Sequence, residues 1–119
     1  MQGHQEEALL GAEGARFEVR PCRRDPKRAL DAAREADVVL LAVGEPHEFS
    51  GEAQSRTQIV IPAAQQALAE AVAATGTPVV VVLRNGRALA LEGAVRDAQA
   101  LLVTWFLGTQ TGPAVADVV

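Results

Sequence analysis

Three apolar runs of strand length recur along the chain, "DVVLLAVG" (37–44), "PVVVVLRNG" (78–86) and "ALLVTWF" (100–106). They are continuous rather than alternating, which predicts strands covered on both faces, as in a parallel sheet. Helical patterns stand between them. "DPKRALDAAREA" places Asp25 at an N-cap, Pro26 at the first helical position, and Ala29, Leu30 and Ala33 on one face. "AAQQALAEAVAATG" follows Pro62, turns Leu68, Ala71 and Val72 inward and ends on Gly76 as a left-handed cap. "EGAVRDAQ" is a short amphipathic stretch before the third run. Strand, helix, strand, helix, strand in this rhythm predicts an α/β fold, a mostly parallel sheet flanked by helices on both faces. Upstream, "RFEVR" alternates Phe17 and Val19 with charged neighbours and reads as a half-buried strand near an edge, while "QEEALLGAEG" is compatible with a short helix. Downstream, "GTQTGPAVADVV" places Pro113 at a helix start.

One connection breaks the economy of this pattern. From Glu45 to Ile61 about seventeen residues separate the first apolar run from its helix, where strand-to-helix connections ordinarily take roughly 2 to 6. The segment holds Glu45, Glu48, Glu52, His47, Ser50, Ser55 and Arg56. It leaves from the carboxyl edge of the predicted sheet, where ligands of open parallel sheets gather. Ser50 and Gly51 allow the backbone to bend close to a ligand just before Glu52, and Arg56 follows at a distance that can return a cation toward it. A solvated acidic loop has the same composition, so residue types alone do not separate the two readings.

Composition narrows the classes. The chain has 119 residues, enough for one core and too few for two. Its 49% hydrophobic and 22% charged residues are ordinary for a soluble globular protein. A net charge of -4 argues against a nucleic-acid surface or a polybasic membrane patch. No apolar run approaches the roughly 20 residues that span a bilayer, and "MQGHQEEALLGAEG" lacks the basic and apolar regions of a secretory signal, so the compartment stays open. Cys22, the single cysteine, has no partner for a disulfide and no neighbouring ligands for a metal, and reads as an inert thiol. No strand is followed by a glycine-rich phosphate loop. No cofactor is expected.

The combination "GEA.SR" with "LRNGR" and "WFLGT", in register from about Phe17 to Val119, resembles the second, α/β-sandwich domain of glycoside hydrolase family 3. The resemblance implies a retaining exo-acting β-glycosidase of the β-glucosidase type. Its aspartate nucleophile would come from a preceding TIM-barrel domain, and its general acid/base glutamate from the loop of this domain, at the motif position of Glu52. Two carboxyls about 5 to 5.5 Å apart, one attacking and one protonating the leaving oxygen, are what a retaining mechanism requires, and one can arrive from another domain. Glu48 is the rival to Glu52, separated from it by motif register alone. Ser50, Arg56 and His47 are the expected substrate-side residues, although His47 has no triad partners and Arg56 can instead pair with a loop acid. Glu45, at the strand end, is expected to hold the loop rather than reach the sugar. Asn85 and Gly86 are accounted for by a turn, and Trp105 reads as core rather than as a sugar platform.

The sequence departs from that family at Gln58, where an aspartate is common, and at Gln110 and Thr111, which replace a glutamate-glycine pair. The barrel, an opening strand and a closing segment are expected to be missing. The chain then forms a single partial sandwich domain over 1–119, inactive alone, with a β-linked glycoside and the barrel domain as partners and a homo-oligomer as a further expectation. A noncatalytic carbohydrate-binding or interaction module on the same fold is the alternative.

Overall fold

The computed structural model describes residues 25–119. The expectations for "QEEALLGAEG", "RFEVR" and Cys22 lie outside them. Helix α1 spans Pro26–Glu35, and its N-cap is the predicted one: the Asp25 carboxylate accepts the Arg28 N–H at 3.1 Å. This bond satisfies an amide that the first helical turn leaves without a partner. Strand β1 follows at Val39–Gly44, α2 at Ala63–Ala73, β2 at Val79–Arg84, α3 at Gly93–Arg96, β3 at Ala100–Val103 and α4 at Thr111–Ala116. Pro62 caps α2, and Gly76 beyond its end has φ +82°, the left-handed geometry its position predicted. The amphipathic stretch before β3 reduces to the single turn of α3.

The three strands form one parallel sheet in the order β1-β2-β3. Register aligns Leu41 with Val81 and Val43 with Leu83, so these four side chains share one face. Together with Val79 of β2, Ala33 of α1, Ala69 and Val72 of α2, Val95 of α3 and Ile61, they are the buried core among the described residues. Polar side chains tie the helices to this layer. Thr77 Oγ1 donates to the Ala33 carbonyl at 2.7 Å, and the Val79 N–H donates to Gln99 Oε1 at 2.8 Å. Glu70 Oε1 accepts the Ala94 N–H at 2.8 Å, linking α2 to the start of α3.

The opposite face is more open among the described residues. Leu40 is 38% exposed and Ala42 is exposed, while Val80 and Val82 of β2 are half-buried. The strands are therefore continuous apolar runs in which, among the described residues, only one side is closed by helices. Leu101 and Val103 at the β3 edge are also exposed. No helix among the described residues is long and apolar enough to cross a membrane.

Candidate functional site

The carboxyl ends of all three strands meet around the long connection after β1. Its first residue is fixed by the sheet. Gly44 has φ +145°, and a Cβ built on it would fall on the Arg84 carbonyl of β2, so only glycine allows the two strand ends this close. Gln65 of α2 brackets the same residue, with its Oε1 accepting the Gly44 N–H at 2.7 Å and its Nε2 donating to the Gly44 carbonyl at 3.0 Å. The Glu45 N–H then donates to the Arg84 carbonyl at 2.9 Å, turning the Glu45 side chain inward.

That side chain is fully buried. Its Oε1 accepts from Arg56 Nη1 at 2.7 Å, and Arg87 Nε lies 3.1 Å from the same oxygen. The Arg87 Nε–H is not aimed at the oxygen, so this second contact is an ion pair rather than a hydrogen bond. Oε2 accepts the Gly86 N–H at 3.3 Å. One buried carboxylate thus faces two guanidiniums and a backbone amide, the compensation a buried charge needs. The expectation that Glu45 holds the loop agrees with this geometry. Arg56, which the sequence left between orienting Glu52 and pairing with a loop acid, pairs with Glu45 and stacks its guanidinium 4.6 Å from the Phe49 ring centroid.

The other glutamates behave differently. A 3₁₀ turn at His47–Phe49 carries Glu48 outward, where His47 Nε2 lies 3.5 Å from its Oε1, both side chains being largely exposed. Glu52 is exposed and makes no hydrogen bond or ion pair among the described residues. It stands between two residues with positive φ, Gly51 at +121° and Ala53 at +59°. A left-handed alanine costs on the order of 1 kcal/mol, so the chain accepts strain to make this tip. Ser50 precedes it, with its hydroxyl buried and without a hydrogen-bond partner among the described residues. It packs against Gly86, where a Cβ would collide with both Ser50 and the Phe106 ring.

A second turn and the end of β3 complete the rim. Asn85 is 1% exposed. Its Nδ2 donates to the Arg87 carbonyl at 2.9 Å, and its Oδ1 accepts the Trp105 N–H at 3.2 Å. Far from being only a turn residue, it joins the β2 and β3 ends. Trp105 is not core: it is 49% exposed, in the left-handed region at φ +56°. Thr104, buried beside it, bonds the Leu83 carbonyl through N–H and Oγ1 at 2.9 and 3.0 Å, and the chain then turns outward at Trp105.

The three motifs singled out in the sequence, around Glu52, Asn85 and Trp105, therefore converge on one edge. Residues 4–119 match the Glycosyl hydrolase family 3 C-terminal domain. The chain belongs to glycosyl hydrolase family 3. It is 52% identical over 90 residues to the periplasmic beta-glucosidase of Salmonella typhimurium, covering 76% of this chain and 12% of that protein. Against the beta-xylosidase of Formosa agariphila it is 40% identical over 91 residues, covering 76% and 13%. The crystal structure of a beta-glucosidase from Listeria innocua in complex with glucose superposes with a TM-score of 0.75 at 40% identity, over 84% of this chain and 14% of that one. The chain thus spans about an eighth of the length of the relatives it matches.

Within the family domain, the residue that sequence reasoning passed over is Arg87. Its Nη2 donates to the carbonyls of Phe49 and Gln54, the latter at 2.9 Å. The signal available was its place in "LRNGR", but a motif gives no direction to a side chain. Of the departures noted in the sequence, Gln58 is exposed, and Thr111 Oγ1 donates to the Gly108 carbonyl at 2.7 Å, capping the short turn before α4.

Proposed function

We propose that this chain is the acid/base-bearing domain of a retaining, exo-acting β-glycosidase, with Glu52 as the general acid and then general base. The substrate class is a terminal β-linked sugar, and the nucleophile is an aspartate on a TIM-barrel domain. The observation that carries the reading is the division of labour among three loop carboxyls. Glu45 is buried under two arginines, Glu48 sits beside His47, and Glu52 is exposed on a strained tip at the carboxyl edge, without a hydrogen bond or ion pair among the described residues. An acid that must protonate a leaving oxygen and later activate water has to meet substrate across a domain boundary. A side chain already engaged by arginine cannot do so. His47, Ser50 and Arg56 belong to the same loop, and of these His47 is the exposed group suited to a sugar hydroxyl.

The test is a chimera in which this chain replaces the matching segment of the 52% identical Salmonella typhimurium enzyme. Glu52→Ala is expected to lower kcat/KM on alkyl β-glucosides by about 10²- to 10⁴-fold. It should spare the first step with dinitrophenyl glucosides, which need no proton, and azide should restore turnover by attacking the glycosyl intermediate. Unchanged turnover of alkyl glucosides by Glu52→Ala removes the residue from the role; the same behaviour in Glu48→Ala instead transfers it.

A further inference from the structure

We infer that Arg87 is the positioning residue of the acid/base loop, a guanidinium that straddles the tip and fixes where Glu52 projects. The inference rests on the reading of Glu52 given above. The loop cannot set its own shape through regular structure: between Glu45 and Arg56, which pair at its base, its backbone bonds among the described residues are the short turns Phe49 N–H to Pro46, Ser50 N–H to His47 and Gln54 N–H to Gly51, at 3.0 to 3.3 Å. Arg87 supplies the missing cross-brace. Its Nη2 donates to the Phe49 carbonyl on one side of Glu52 and to the Gln54 carbonyl on the other. Its Nε sits beside the buried Glu45 carboxylate at the base of the loop. Both flanks of the tip and its root are therefore held by one planar group.

The group is itself held. Asn85 grips the Arg87 carbonyl and the Trp105 amide, so the guanidinium projects from a turn locked between β2 and β3. Gly86 lets Ser50 lie directly against that turn. Arginine is required because its fixed fork can offer N–H groups to two carbonyls while keeping its charge against Glu45. A lysine ammonium is a point charge without that geometry. Arg87 need not touch substrate. It acts through the loop, and a displacement of a catalytic group by about 1 Å costs on the order of 10²-fold in rate.

Two measurements test this. In the chain itself, hydrogen exchange of the Phe49, Ser50 and Gln54 amides is compared among wild type, Arg87→Lys and Arg87→Ala. Arg87→Ala should accelerate these amides by roughly 10- to 100-fold, the loss of charge-assisted hydrogen bonds, with the β2 amides unchanged, and Arg87→Lys should fall between. In the chimera, Arg87→Ala should lower kcat on alkyl glucosides by about 10²-fold with little change in KM. It should act less on dinitrophenyl glucosides in the first step, and added guanidinium should recover part of the loss. A general weakening of the fold would depress both leaving groups alike and would not respond to guanidinium. If Arg87→Ala does not fold, Arg87→Lys carries both arms. Loop amides unaltered in the folded variants, or equal losses on both leaving groups without guanidinium rescue, overturn the inference. A crippled Glu52→Ala beside an unaffected Arg87→Ala overturns it alone, whereas normal alkyl turnover by Glu52→Ala removes the reading beneath it and leaves Arg87 a structural brace.

Discussion

Replacing Glu45 by glutamine keeps the side chain's shape and removes the negative charge between Arg56 and Arg87. The carboxylate is fully buried and each arginine side chain is 24% exposed, so the arginines are left facing each other across a neutral amide with partial access to water. Breaking a buried ion pair by removing one partner costs about 3 to 5 kcal/mol. The lower end applies here, because both arginine side chains are partly exposed and Arg87 retains its bonds to Phe49 and Gln54. With a urea slope of roughly 1.5 kcal/mol per molar for a domain of this size, a loss near 3 kcal/mol moves the unfolding midpoint down by about 2 M. Circular dichroism at fixed protein concentration reads the transition. The control is Asp31→Asn, which removes the exposed Asp31–Arg34 pair and should cost no more than about 0.5 kcal/mol. A Glu45→Gln midpoint within the shift of that control would refute the claim that this buried charge anchors the loop.

Further outcomes follow from the same geometry. Gly44→Ala places a methyl on the Arg84 carbonyl at a positive φ and should prevent β1 from pairing with β2, seen as lost amide protection at Glu45 and along both strands. Leu83→Ala, at a residue 2% exposed in the centre of the core, should cost about 2 to 5 kcal/mol in urea unfolding. The chain alone should release no nitrophenol from aryl β-glucosides above a Glu52→Ala control, since the nucleophile proposed above belongs to a TIM-barrel domain and Glu45 is buried beneath its arginines; turnover above that control would show a complete site. The half-open face bearing Leu40 and Ala42, with Leu101 and Val103 at the edge, should drive self-association, and a monomer in sedimentation at all concentrations would count against it.

What the sequence determined by itself is what short-range physics controls. The N-cap at Asp25, the proline start of α2, the left-handed Gly76 and the three strand-length runs each rest on interactions within a few residues, and each stands where the pattern placed it. The length of the loop was equally visible, as were the motifs that assign the family. Tertiary structure decided the rest. A continuous apolar run carries no period, so it could not say that Leu41 and Val43 face the helices while Leu40 and Ala42 face away. Trp105 sat in such a run and was read as core, yet Thr104 bonds the Leu83 carbonyl and Trp105 turns outward at a left-handed backbone. The site itself depends on pairs distant in the chain: Glu45 with Arg56 and Arg87, and Arg87 with Phe49 and Gln54. A charge in a sequence has no preferred partner. The burial that makes a partner obligatory arises only when the strand ends, their turns and the loop are brought together at one edge of the sheet.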